Sequence, residues 1–212
     1  MERHRLAVVI PALNEAATIR EVVVNAAKYG TPLVVDDGST DRTSEEASGA
    51  GAIVRTLTAN RGYDGALNAG FEQAAKLGFD YVITVDADGQ HDPESINSMI
   101  EALERGADLV LGVRDKRQRF AERVFAFGTY LRWRIKDPLC GMKAYRVEIY
   151  RELGHFDSYR SVGTELALYA AKRKAKIVEV PVKTRERRDA PRFGSVVSAN
   201  FRILRAFVRG ML

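Results

Sequence analysis

The sequence holds a single cysteine, Cys140, in 212 residues, which excludes an internal disulfide framework and a cysteine-rich zinc site. No segment approaches the roughly 18 consecutive apolar residues that a membrane-spanning helix needs. The opening MERHRLAVVIPALNE has only a short apolar run before Asn14 and Glu15. A cytoplasmic protein is therefore expected, with peripheral contact at the inner face of the cytoplasmic membrane left open. Linkers rich in glycine, serine or proline are missing, as are internal repeats. Aromatic residues make up 8% of the chain and no recognisable nucleic-acid-reading element is present, so nucleic-acid recognition finds no support. What is present, 46% apolar and 29% charged residues, suits one medium-sized globular domain.

Charge is segregated along the chain. Residues 170–212 carry 12 Lys or Arg against three acids, a net +9, which leaves 21 against 25, a net −4, for residues 1–169. A second basic stretch, residues 114–136, has eight Lys or Arg against Asp115 and Glu122. Such clusters suit phosphate, anionic lipid or a solvated face.

Short apolar runs alternate with helical patterns. LAVVI (6–10), PLVVD (32–36), AIVRTL (52–57), YVITV (81–85) and DLVLG (108–112) read as buried strands. Helices are expected over about 16–28, 42–47 after a cap at Thr40 or Asp41, 63–77, and 93–104 with Asp92 as N-cap and Pro93 as first residue. This βαβα order defines an open α/β sheet. The second half departs from it: a basic amphipathic helix over 118–133, a turn and extended chain in KDPLCGMKAYR, a helix over 163–171, and a strand KIVEV (176–180) ended by Pro181. The last helix sets apolar Phe201, Ile203, Leu204, Phe207 and Val208 against Arg202, Arg205 and Arg209. That pattern suits packing on the domain, a dimer interface or a membrane surface. The expected division is 1–195 for the catalytic domain and 196–212 for this helix.

The chemistry-bearing residues gather where strands end. Asp86, Asp88 and Gln90 alternate beyond the fourth strand, so an extended backbone turns them to one side, where two carboxylates can share a hard cation such as Mg²⁺ or Mn²⁺. Asp36 and Asp37 end the second strand on the same expected edge, the usual place for active sites of open α/β sheets. His91 is either a further ligand or a helix-start residue. Arg187, Arg188 and Arg192, with Gly194 and Ser195, form a basic loop suited to phosphate oxygens, and Arg114 is a second phosphate candidate.

The motifs VVIPALNEAATI, VVDDGSTD, RGYDGALNAGF, TVDADGQHDPESI, DPLCGMKAYR and EVPVKTR, in this order, resemble the inverting glycosyltransferases of family 2 over about residues 6–195. The nearest likeness is to the dolichyl-phosphate and polyprenyl-phosphate sugar synthases. The resemblance implies a Rossmann-like nucleotide-sugar-binding domain of the GT-A type with a mixed central sheet. It places Pro11, Leu13, Glu15, Asp36 and Asp37 around the nucleotide, with Asp36 on the base. Asp86, Asp88 and often Gln90 would hold the metal on the donor diphosphate. Arg114 would lie near sugar or phosphate, Arg187 or Arg188 with Ser195 in a mobile acceptor-side loop, and Glu165 near the acceptor.

The implied reaction is attack of an acceptor oxygen on the sugar C1 of a UDP- or GDP-sugar, with metal and arginine neutralising the departing diphosphate. A polyprenyl phosphate brings an anionic oxygen and needs no strong base. A saccharide hydroxyl needs one, and Asp137, Glu165 and Asp88 are the carboxylates to test. The chain reads Gly194, Ser195, Val196 where a lysine usually follows the serine, and CGMK where an aromatic and an arginine are common, which leaves a lipid-linked saccharide acceptor open. Competing readings are a nucleotidyltransferase, whose lysine-rich first loop is missing from PALNEAATI, a non-catalytic homologue, and a basic nucleic-acid binder.

Overall fold

The computed structural model describes residues 3–89, 92–115, 120–183 and 196–211. Seven strands form one mixed sheet in the order β3-β2-β1-β4-β6-β5-β7. They are β1 (Leu6–Ala12), β2 (Thr31–Asp36), β3 (Ile53–Thr56), β4 (Tyr81–Thr84), β5 (Leu109–Arg114), β6 (Lys143–Arg146) and β7 (Ile177–Val182). All neighbours pair in parallel except β6, which runs antiparallel to both β4 and β5. The first half is the expected βαβα winding: α1 (Ile19–Ala26), α2 (Thr43–Gly49), α3 (Gly62–Lys76) and α4 (Ser95–Glu104) connect parallel strands.

Period-two alternation sorts the strand residues into two buried layers. Leu6, Val8 and Ile10 face α1 and α4 with Ile19, Val23, Ile96 and Met99, whereas Ala7 and Val9 face α3, α6 (Val147–Leu153) and α7 (Glu165–Lys172). Helix α3 comes unusually close to the sheet because a Cβ on Gly70 would strike the Val9 side chain. A third cluster, Ala121, Phe125, Leu168, Ile203 and Ala206, joins α5 (Phe120–Trp133) and α8 (Val196–Met211) to α7.

Three local expectations are corrected. Helix α4 begins at Ser95 rather than Pro93, because the Asp92 carbonyl and carboxylate accept the Ser95 and Glu94 N–H groups in a turn that comes first. Strand β7 continues through Pro181 to Val182: it is the edge strand, where a residue without N–H breaks no ladder on its outer side. Helix α6 was not anticipated, since its seven residues are too few to show a period. Among the described residues no helix is long and apolar enough to cross a membrane.

Candidate active site

From β1 the chain winds outward to β2 and β3, then returns to place β4 on the other side of β1. The loops leaving β1 and β4 therefore diverge and open a crevice at the carboxyl edge, the expected ligand position in such a sheet. Because β6 is antiparallel, its beginning, at Gly141 to Lys143, lies beside the end of β4: the Thr84 hydroxyl donates to the Gly141 carbonyl at 2.6 Å. Residues from opposite parts of the chain meet at this edge.

The floor is built by side chains that tie loops together. Asn14, at φ 52°, accepts the Thr40 N–H at 2.8 Å, and its own N–H donates to Ser39. Glu15 is buried, donates its N–H to the Thr43 hydroxyl and accepts the Thr18 hydroxyl, which also donates to the Ala87 carbonyl at 2.8 Å. Pro11 and Leu13, both half-buried, line the same loop. Asp36 is buried, with its carboxylate accepting the Ser39 N–H and the Ser44 hydroxyl. Asp37 accepts the Arg61 and Gly62 N–H groups at 2.7 and 2.8 Å. Burial raises the Asp37 carboxyl above its ordinary value despite those bonds.

Asp86 and Asp88, half-buried, follow β4. The Tyr63 hydroxyl donates to Asp86 Oδ1 at 3.2 Å, and a Cβ on Gly141 would stand 2.5 Å from Asp86 Oδ2. Only a glycine lets that carboxylate lie against the start of β6. Behind it is Lys143, buried, its Nζ donating to the Gly163 carbonyl at 2.8 Å. Burial lowers its pKa, with Asp137 and Asp86 acting against the shift. Gln90, His91, Arg187, Arg188, Arg192 and Ser195 lie outside the described residues.

Two carboxylates considered as bases are otherwise engaged. Asp137 is 2% exposed and grips Arg114, accepting Nε at 2.8 Å on Oδ2 and Nη2 at 2.9 Å on Oδ1, as well as the Arg114 N–H. Burial opposes the guanidinium charge, but the hydrogen bonds and charge of Asp137 outweigh it and raise the Arg114 pKa. Glu122 adds a second partner at 3.3 Å. Glu165, at the start of α7, accepts the Ser158 N–H and hydroxyl at 2.5 and 2.7 Å and lies 3.0 Å from His155 Nε2. In this arrangement Asp137 holds Arg114 and Glu165 holds the 155–158 turn.

Sequence reasoning passed over Tyr63, Asp64 and Lys143. Asp64, in the first turn of α3, accepts the Val162 and Gly163 N–H groups at 3.2 and 2.6 Å, and burial with the nearby Asp157 charge pushes it up to about 6. A lysine in the otherwise apolar MKAY run was the one available signal for this cluster.

Among the described residues no group of three His, Cys, Asp or Glu side chains could hold a metal. The donor set still fits a hard divalent ion shared with a diphosphate, which one or two carboxylates and phosphate oxygens suffice to bind.

Parallel winding, a reversed β6 and an acidic crevice at the switch point define a GT-A fold. Comparison with solved structures agrees: glucosyl-3-phosphoglycerate synthase from Mycobacterium tuberculosis, solved with Mn²⁺, UDP-glucose and phosphoglyceric acid, superposes with a TM-score of 0.77 at 22% identity, over 98% of this chain and 79% of that one. The family model for glycosyl transferase family 2 matches residues 7–154, and the chain belongs to that family of glycosyltransferases. An uncharacterised protein of Methanocaldococcus jannaschii is 35% identical over 96% of this chain and 91% of its own length. The polyprenol monophosphomannose synthase of Mycolicibacterium smegmatis is 30% identical, over 86% of this chain and 78% of that protein. An undecaprenyl-phosphate 4-deoxy-4-formamido-L-arabinose transferase of Edwardsiella ictaluri is 31% identical; the chain covers 60% of its length.

Proposed function

We propose that this glycosyltransferase moves a sugar, with inversion, from a nucleoside-diphosphate sugar to a polyprenyl phosphate at the cytoplasmic face of a membrane. Residues 1–195 would carry the chemistry and 196–212 would help attach it. The reading is supported by two relatives named for polyprenyl-phosphate chemistry. The observation that carries it is the engagement of Asp137 and Glu165: with both carboxylates committed to other groups, an acceptor that arrives already anionic suits the site better than a hydroxyl that must be deprotonated.

In this reading the loops after β1 and β2, with Pro11, Leu13, Glu15, Asp36 and Asp37, receive the nucleotide. Asp86 and Asp88, with Gln90, would hold a Mg²⁺ or Mn²⁺ ion that neutralises charge on the diphosphate. Tyr63 and the close approach allowed by Gly141 fix the Asp86 carboxylate. A phosphate oxygen of the acceptor attacks C1 as the bond from C1 to the diphosphate oxygen breaks, and Arg114, oriented by Asp137, faces the growing negative charge. Arg187, Arg188 and Ser195 would receive the acceptor phosphate.

The test is transfer from a panel of UDP- and GDP-sugars to polyprenyl phosphate in detergent, with Mg²⁺ or Mn²⁺. Asp88→Ala should lower turnover by at least about 10²-fold, the scale of losing electrostatic stabilisation of the leaving group, with the wild-type melting profile retained. Donor hydrolysis without lipid product would move the acceptor to a saccharide. Full activity in Asp88→Ala would overturn the assigned site.

A further inference from the structure

The Gly163 peptide, in the turn before α7, is gripped from both sides by residues far away in sequence. Its N–H donates to Asp64 Oδ1 at 2.6 Å, in the first turn of α3, and its carbonyl accepts the Lys143 ammonium of β6 at 2.8 Å. Asp64 also accepts the Val162 N–H at 3.2 Å. Lys143 is 3% exposed between Met142 and Ala144, both fully buried, and a cation among apolar neighbours is kept only against a desolvation cost. The gripped segment is strained as well. Arg160, Val162 and Gly163 have φ of 58°, 56° and 71°, a region that is a steric outlier for a β-branched residue such as Val162. Strain of this kind persists where the surroundings over-determine it, and here Asp157 adds acceptors for the Arg160 and Ser161 N–H groups at 2.9 and 2.6 Å.

The gripped peptide backs the Tyr63 ring. A Cβ on Gly163 would stand 3.3 Å from Tyr63 Cε1 and 3.7 Å from Lys143 Nζ, so this residue sits against both. Tyr63 in turn donates its hydroxyl to Asp86 Oδ1 at 3.2 Å, while Gly141 admits Oδ2 on the other side of the carboxylate. Tyr63 and Asp64 are consecutive in α3, so one helical turn both reaches Asp86 and is anchored to the 162–163 peptides. Contacts therefore run without a gap from Lys143 and Asp64, through Gly163 and Tyr63, to Asp86.

We propose that Asp64 and Lys143 are positioning residues for the donor cation: by clamping the Gly163 peptide they hold Tyr63 in place, and Tyr63 fixes the Asp86 carboxylate in the orientation that meets the ion. The inference rests on the reading that Asp86 and Asp88 bind that cation, and it extends the site to three residues that touch neither ion nor sugar. Partners that orient a metal-binding carboxylate govern its affinity for the ion.

The experiment is a Mn²⁺ titration of the full chain with UDP and, separately, with GDP, reading the free ion by its electron paramagnetic resonance signal against nucleotide alone. Tyr63→Phe, which keeps the ring, should weaken Mn²⁺ binding by about tenfold or more. Asp64→Ala and Lys143→Met should do the same, and Asp64→Asn, which retains one acceptor oxygen, should restore most of the loss. In the Tyr63→Phe background, Asp64→Ala or Lys143→Met should change the affinity by less than about twofold, because their effect passes through the missing hydroxyl. Affinity unchanged in Tyr63→Phe, or losses that multiply in the double variants, would overturn the inference while Asp88→Ala still abolishes binding. No Mn²⁺ bound beyond nucleotide alone, or binding retained in Asp88→Ala, would overturn the cation reading and this inference with it.

Discussion

The two-point grip of Asp137 on Arg114 governs what either residue can contribute to the reaction. A buried carboxylate that accepts from Nε, Nη2 and a backbone N–H spends its oxygens on orientation. The guanidinium, 20% exposed, is held with one side free of Asp137. Removing one partner of a buried ion pair leaves the other without compensation, so Asp137→Ala should lower the unfolding free energy by about 3–5 kcal/mol. A denaturant titration measures this through the midpoint. Asp137→Asn, which keeps one acceptor oxygen, should lose less. A collapse of kcat with an unmoved midpoint would instead restore Asp137 as a base. Cys140 sits in the same buried layer, where burial pushes its thiol up to about 11, so it stays protonated and serves as packing.

Elements whose residues alternate or repeat over a long enough window were legible. β1, β2, β4 and β5 appear where LAVVI, PLVVD, YVITV and DLVLG place them, because strands buried on both faces advertise themselves as unbroken apolar runs. Less legible were features that depend on neighbours in space: the reversal of β6, the continuation of β7 through Pro181, and the clip that joins α3 to the turn before α7. In that clip Asp64 accepts two N–H groups from a loop about a hundred residues away, where Arg160 and Val162 both have positive φ. No local pattern marks such a residue. Its titration makes a prediction: the folded pKa, raised from 3.8 to about 6, means that the fold favours the protonated form. The stability linked to this group is full below the ordinary carboxylate range and is lost as pH rises through about 6. Across that window the wild type should lose about 2 kcal/mol relative to Asp64→Asn, the linkage value discounted for partial exposure. Urea unfolding of both proteins at a series of pH values measures the difference, and parallel curves would refute it.

Across the whole molecule, acidic and basic groups are separated along the sequence. The carboxylates Asp36, Asp37, Asp86 and Asp88 gather at the carboxyl edge of β2 and β4, whereas the C-terminal 43 residues carry a net +9. In the proposed attachment, the exposed Arg202 and Arg209 of α8 would meet the anionic headgroups. Exposed charges act over a Debye length that shrinks from about 10 Å at 0.1 M salt to about 3 Å at 1 M. The exposed apolar residues Phe127 and Leu131 of α5 and Phe201 and Val208 of α8 respond to salt in the opposite sense or not at all, because apolar burial is not screened. Attachment to vesicles containing phosphatidylglycerol should therefore fall on the order of tenfold over that range and level off at a residue set by Phe127, Leu131, Phe201 and Val208. The same titration on the Arg202→Glu and Arg209→Glu variant should be nearly flat. Flotation at stepped salt concentrations measures both curves: a wild-type curve as flat as the variant's would assign the contact to apolar burial alone, and a fall to zero would assign it to charge alone.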